Sequence, residues 1–464
     1  MQIPLLSGVL ASEQADFNLS MPINLEGVSI DTGISKGYLR SAMGATTLGA
    51  GGPGVDRGGI LFNGLLHRVM GTKLVSVSSS GVVTVLGDVG GTGPVALDFG
   101  FGRLAIQSGT NLYYWDGATL VQVTDPDLGP CIDVAWFNGQ YFSTDGTYIV
   151  ATNINDPTVV DPLKYGSAEQ DPDGINGLLR IRNELAVTGG ETIEFFDYVG
   201  GAGFPLQVNS GATIPIGCAG SRAKCIFSQT FAFVGAGRNQ SNGVWLAGGG
   251  TAEKLSTRAI DDFLAAEPNP SGIELESRVS RDEERLYVHL SDKTLVYLRQ
   301  ASTAAQQQIW YVARSGLGMD KAYRLRHAVL FNNEWIVGDT ETASLGVLSE
   351  AEATHFGEAV GWRFDTRLTY NSGNGFIVHQ LELVGLPGRG TTGNPVAYLS
   401  TTLDGETWSL ERANRIGLSG QRRKRIVWNQ HNRARNYMGM RFRGSSSALA
   451  GWAALEAQIE GLNA

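Results

Sequence analysis

Along most of the chain, apolar and polar residues alternate in short runs bounded by Gly, Asn or Asp, the period of a half-buried β-strand. The runs come in pairs. An alternating strand with an aromatic residue is followed by a tight turn and a second alternating strand, as in ILFNGLLHRVMGTKLVSVSSSG from Ile60 and VAWFNGQYFSTDGTYIVATN from Val134. Further copies start at Leu97, Leu178, Cys225, Arg278 and Ala328. Asn-Gly, Asp-Gly and Gly-Gly pairs at the turns supply the positive φ that two-residue hairpins require. The copies begin 37 to 53 residues apart, a spacing that fits several strands per unit and points to propeller blades. A lone unit of this kind has no second face to pack against, so the units must stack. The pattern predicts an all-β protein with a quasi β-propeller of six or seven blades over residues 55–358.

After Gly361 the repeat is lost. FDTRLTYNSGNGFIVHQLELVGLPG, PVAYLSTTLDGETWSLERA and YMGMRFRG read as longer strands separated by polar turns. They predict a C-terminal β-sandwich-like docking domain over residues 359–464, with residues 1–54 as an N-terminal arm and connector. Helix is scarce: TRAIDDFLAAE from Thr257, closed by Pro268, is one short helix, and EAEATHF near Glu350 is a weaker second.

Composition supports this picture. The 464 residues include 62 Gly and only 15 Pro, a balance that implies many tight turns in a folded chain rather than a low-complexity one. Hydrophobic residues make up 42% and charged residues 17%, enough apolar material for a large core. With three cysteines, Cys131, Cys218 and Cys225, a disulfide framework is not expected, and the thiols read as buried or idle in a reducing cytoplasm. Met1–Leu10 has no basic region ahead of its short apolar stretch, so it does not read as a signal peptide, and no run is long enough for a membrane helix.

Net charge is −9, yet residues 412–443 contain Arg412, Arg415, Arg422, Arg423, Lys424, Arg425, Arg433, Arg435, Arg441 and Arg443, plus His431, and no acid at all. Arginine's planar donor fork suits carboxylates and phosphates. The segment fits docking on an acidic patch of a partner, contact with DNA phosphates in a channel, or a solvated strand face; docking is the expectation carried forward. Trp428 and Tyr437 alone do not make the aromatic ladder that binds single strands.

Other motifs have plainer explanations. TTLDGETW, Thr401 to Trp408, approaches a sialidase Asp-box but lacks one residue between Asp404 and Gly405, and reads as a hairpin turn with Trp408 in a core. DPDG, Asp171 to Gly174, lacks the further ligands of a calcium loop and reads as a turn. GAGGPG, Gly49 to Gly54, precedes no helix that could take a phosphate and reads as a flexible connector. Glu283 and Glu284 sit in a charged turn and read as solvated, and the six histidines have no metal-ligand spacing. No cofactor, metal or catalytic set is expected.

Five segments in order carry a resemblance: GYLRS (Gly37 to Ser41), DPDGINGL before ETIEFF (Glu191 to Phe196), IGCAGSRAKCIFSQTFAFVG (Ile216 to Gly235), LYVHLSDKTLVYL, and RKRIVWNQ. Together, over residues 30–445, they resemble the packaged-DNA stabilisation proteins, or tail accessory factors, of short-tailed phages of enteric bacteria. The resemblance implies a structural tail hub subunit of the virion. It would form a hexameric ring of propeller subunits below the portal and its adaptor, close the DNA channel and seat a needle, fibre or tailspike. It implies no catalytic residues, no membrane and no sequence-specific DNA contact. The first 30 and last 20 residues depart most from the family. Two other readings of the repeats are a monomeric propeller that binds a ligand or receptor and a glycan-active propeller enzyme.

Overall fold

The computed structural model describes residues 2, 3, 5, 8–11, 17–29, 35, 37–100, 102–168, 170–201, 203–390, 393, 395–431 and 433–462. The seven hairpins become the centres of seven four-stranded antiparallel sheets, which span residues 56–88, 96–122, 133–166, 177–208, 224–254, 274–313 and 325–349 and are numbered here as blades 1 to 7. The first strand of every blade is innermost, and these strands pack against one another in sequence, with Leu325–Phe331 of blade 7 against Asp56–Phe62 of blade 1.

Two-residue turns join the first and second strands. Asn63-Gly64 and Asn138-Gly139 have positive φ at both positions, and so do Ser228-Gln229, Arg281-Asp282 and Asn332-Asn333, the geometry that matches strand twist. The last three pairs contain no glycine, so the twist of the flanking strands, and not residue preference alone, sets the turn.

Each blade buries both faces against its neighbours. Phe62, Val69 and Leu74 of blade 1 pack with Leu104, Ile106 and Trp115 of blade 2. Leu66, Val75 and Val77 on the other face of blade 1 pack with Phe331, Ile336 and Leu345 of blade 7. Blade 7 draws its outer strand from far away in sequence: Gly44–Thr47 pairs antiparallel with Leu345–Ser349. This strand closes the ring, and no periodicity in the sequence marks it.

The C-terminal domain is a sandwich. A five-stranded sheet containing Gly361–Asp365, Val396–Thr402, Arg412–Arg415 and Tyr437–Ser445 faces a seven-stranded sheet built on Phe376–Gly385 and Gly451–Gly461. Trp362, Phe364, Trp428, Phe442 and Trp452 fill the space between them, the alternation expected of two inner faces. Residues 1–54, expected to be an arm and connector, contribute to both domains. Leu25–Ser29 and Gly37–Ser41 are strands of the seven-stranded sheet, and Gln2–Ile3 pairs with its Gly451–Gly461 strand. Part of the arm, including residues 12–16 and 30–34, lies outside the described residues.

The sandwich is tied to blades 6 and 7 by a short strap. Asn24 accepts from the Arg314 amide at 2.9 Å, and its Nδ2 donates to the Gly361 carbonyl at 2.7 Å. Glu26 pairs with Arg285 of blade 6 at 3.0 Å, with both side chains buried, and also with Arg40, which reaches Glu350 at 3.2 Å.

Helix α1 spans Arg258–Ala265, as the Thr257 segment predicts. The EAEATHF segment forms turns and a bridge instead, because His355 pairs with Ala45 beside the closing strand. A second helix, α2 (Arg299–Ala305), was not evident in the sequence; Glu283 accepts from the amides of Gln300 and Ala301 at its first turn. Glu284 accepts from the Ser228 amide and pairs with Arg299 at 3.0 Å, so neither glutamate is simply solvated. Gly49 to Gly54 does connect the closing strand to blade 1, but tightly: a Cβ on Gly49, at φ 67°, would lie 2.2 Å from the Gly81 carbonyl oxygen.

Candidate functional site

The basic segment lies along one edge of the sandwich, and its ten cations divide into two groups. Arg441 forms a bidentate pair with Asp365 at 2.9 and 3.0 Å and lies 3.8 Å over the ring of Trp408. Arg443 grips Glu411 and lies over Tyr398, and Arg425 grips Glu382, with Nε to Oε1 at 2.8 Å. Their hydrogen bonds hold the Glu382 and Glu411 carboxyls below the ordinary range. Arg412 donates to the backbone carbonyls of Asn429 and Gln430. These four arginines are engaged within the domain.

The other six differ. Arg415, Arg422, Arg423, Arg433 and Arg435 are exposed, Lys424 is half-buried, and none makes an ion pair with a described residue. Arg422, Arg423 and Lys424 project from a loop whose ends are pinned in the core by Ile416 and Ile426. Sequence reasoning treated the ten as one surface because the carboxylates that claim Arg425 and Arg441 lie 43 and 76 residues away.

The near Asp-box is a turn in which Asp404 accepts from the amides of Glu406 and Thr407 at 2.9 and 2.8 Å, and its carboxyl is held below the usual range chiefly by the Thr407 hydroxyl. Trp408 is half-exposed under Arg441 rather than in a core, because it lies in the loop between the strands Val396–Thr402 and Arg412–Arg415 and not on an inner strand face. In the DPDG turn, Asp173 accepts from the amides of Glu191 and Thr192 at 2.6 and 2.8 Å, which spends its oxygens on the neighbouring turn.

The propeller axis was not singled out by sequence. All seven inner strands line a cavity of about 400 Å³, and side chains cross it. Lys224 of blade 5 reaches Asp133 of blade 3 at 2.9 Å, and Arg222 reaches Gln107 of blade 2 at 3.0 Å. Where blades 6, 7 and 1 meet, His327 lies between Asp56 at 2.7 Å and Glu274 at 3.2 Å, and Arg68 holds Asp56 at 2.7 and 2.8 Å. Burial opposes a charged imidazole, but hydrogen bonds and charge from Asp56 and Glu274 outweigh it and raise the His327 pKa to about 9. Burial likewise works against the Glu274 carboxylate, and His327 more than reverses it, bringing that carboxyl down to about 2. The axis is thus crossed by paired charges that join blades.

Among the described residues, no three His, Cys, Asp or Glu side chains gather as a metal site, and no helix is long and apolar enough to cross a membrane. The three cysteines are free, and burial raises each thiol above its ordinary value.

Comparison with known proteins gives a consistent result. The sequence matches the family described as "Bacteriophage P22 Gp10, beta-propeller" over residues 1–353 and that described as "Bacteriophage P22 Gp10, beta-sandwich" over residues 361–460. It is 27% identical to the tail hub protein gp10 of Salmonella phage P22, over 95% of this chain and 96% of that protein. Similar solved structures include the N-terminal domain of Nup159 (11% identical, TM-score 0.41, covering 70% of this chain and 98% of that one). The Pan2 WD40 domain of Neurospora crassa is another (8% identical, TM-score 0.41, covering 66% and 92%).

Proposed function

The chain belongs to the bacteriophage P22 Gp10 family, and from that premise we propose that it is a structural tail hub subunit of a short-tailed phage, one segment of a ring below the portal and adaptor. In that place it closes the DNA channel and seats a distal needle, fibre or tailspike. The observation that carries this reading is the match to a tail hub protein over nearly the full length of both chains, through the propeller and the sandwich in the same order.

The architecture suits such a part. A closed propeller is stiff because every blade is buried on both faces, and the strap through Asn24 and Glu26 fixes the sandwich to it. A stiff body presenting an unpaired basic edge is a building block that acts through shape and contact. The axial cavity is far too narrow for a duplex and is crossed by Lys224 and Arg222, so any channel for DNA lies between subunits and not within one propeller.

Electron microscopy of particles from the encoding phage with this gene deleted tests the reading. Heads that lose their DNA, or that end at the adaptor with no distal tail, are expected. DNA-filled particles with complete tails would overturn it.

A further inference from the structure

Charge is divided between two regions of the molecule. Residues 361–464 carry 13 Arg and Lys against 7 Asp and Glu, while residues 116–173 carry ten acids and one lysine, Lys164. The acidic stretch centres on the outer hairpin of blade 3. Asp125 accepts from the Val160 amide at 3.0 Å, Asp161 lies within the outermost strand, Val160–Gly166, and Asp156 shapes the turn before it. The Tyr165 phenol on that strand is raised by partial burial and then by the charges of Asp127, Asp145 and Asp125. None of these five aspartates makes an ion pair with a described residue. Large apolar side chains stand among them: Leu163 is 81% exposed, Ile154 56%, Tyr148 44% and Val159 43%.

The sandwich edge has the same composition with the opposite sign. Arg415, Arg422, Arg423 and Lys424 are without ion pairs, and beside them Leu410 is 92% exposed and Leu418 44%. An interface with an apolar centre and a charged rim needs this kind of mixture on both sides.

Position decides what the two patches can do. The sandwich is joined to blades 6 and 7, and in a ring of seven blades the third lies diametrically opposite that junction. The patches therefore cannot close on each other within one chain. Two different complementary patches at opposite ends of one body generate head-to-tail association, the arrangement that closes into rings.

We propose that the basic loop 416–426 of one copy docks on the outer edge of blade 3 of the next copy. This rests on the reading of the chain as a tail hub subunit and names the partner of its basic edge: a second copy of the chain. The contact is heterologous, with Leu410 and Leu418 meeting the apolar side chains around Leu163, and the cations of the loop meeting Asp156 and Asp161.

The test uses particles of the encoding phage made without this chain, to which purified chain is added and infectivity counted. The native chain restores infectivity. Arg422→Glu, Arg423→Glu and Lys424→Glu together, or Asp127→Lys, Asp156→Lys and Asp161→Lys together, reduce the restored titre by about 100-fold or more, because like charges then face each other. An equimolar mixture of the two variants recovers it, since each reversed loop meets a reversed blade. A second measurement does not depend on charge reversal. A chain carrying Leu163→Cys and Leu418→Cys, assembled on particles and treated with a bismaleimide, gives a ladder of linked copies, whereas each single cysteine gives none. Single reversals that restore titre like the native chain, or assembled particles with no ladder, overturn the pairing and leave the tail hub reading standing. Loss in the loop variant that the mixture does not repair, with no ladder, assigns the basic edge to another tail protein or to DNA. Failure of the native chain itself to restore infectivity removes the tail hub reading and this pairing with it.

Discussion

At the scale of single residues, His327 joins three blades. It belongs to blade 7, lies in an irregular step of its strand at φ 54°, and holds Asp56 of blade 1 and Glu274 of blade 6. Its pKa in the fold is about 9, against about 6.5 in an unfolded chain. The folded state therefore binds the proton more tightly. The stability that this binding contributes is fully present below about pH 6.5 and is lost as pH rises through about 9, on the order of 3 kcal/mol in all. His327→Gln should flatten the fall in urea-unfolding stability between pH 6.5 and 9.5. The acid limb should survive only in part: the buried neutral His289, held down at about 4 chiefly by burial, still titrates on that side, whereas the share of Glu274, whose carboxyl His327 holds down, is lost with the substitution. An unchanged alkaline slope in the variant would mean that the proton resides elsewhere. None of this was legible in the sequence, where the six histidines show no common spacing. Residues 56, 274 and 327 meet only because the ring closes. The ten basic residues of 412–443 were legible as a charge excess, but not their division into paired and unpaired groups, since Glu382 and Asp365 come from other strands and Glu411 lies 32 residues before the arginine it pairs with.

At the scale of elements, the hairpins were readable because the signals that form them are local: period-two alternation and a turn between strands. The strand Gly44–Thr47 was not, because four residues, GATT, carry no pattern and their partner Leu345–Ser349 lies some 300 residues on. This strand is squeezed between two backbones. It pairs with blade 7 on one side, while on the other the Ala45 amide donates to the Thr354 carbonyl at 2.8 Å. A Cβ on Gly44 would lie 2.3 Å from that same carbonyl oxygen, a contact with backbone that cannot swing away. Gly44→Val should therefore loosen the closing strand, with a loss of about 2 kcal/mol by the usual scale of overpacking. Hydrogen exchange should show faster amides in Leu345–Ser349 than in the outer strands of blades 1 to 6. Equal protection in all seven blades would mean that blade 7 does not depend on its distant strand. The helix α1 was legible from the acids Asp261 and Asp262 near its start and from its closing Pro268, whereas α2 was missed because its first turn is served by Glu283 from another strand.

At the scale of the whole molecule, the first and last described strands both lie in the sandwich, and the propeller comes between them in sequence. Gln2 lies opposite Glu456 and Ile3 opposite Leu455, and Trp452 and Gly451 lie opposite Leu39 and Arg40. Leu25 and Leu39 are completely buried in the same core as Trp362 and Trp452. A fragment of residues 361–464 keeps both sheets but loses these N-terminal strands, which bares core side chains and leaves part of the long Gly451–Gly461 strand as an open edge. Such an edge is a template for aggregation. The fragment should precipitate or melt without a cooperative transition. The same fragment with residues 1–42 attached after residue 464 through a Gly/Ser linker of about eight residues should melt cooperatively, because a linker of that length spans the short distance between neighbouring strand ends. A cooperative melt of the bare fragment would show that the N-terminal strands merely decorate the sandwich. The interleaving also explains the rigidity required of a ring segment. Because Glu26 lies in the sandwich strand Leu25–Ser29 and Asn24 just before it, the sandwich's own folding places them against Arg285 and the Arg314 amide of the propeller side, and these contacts hold the two domains in one orientation.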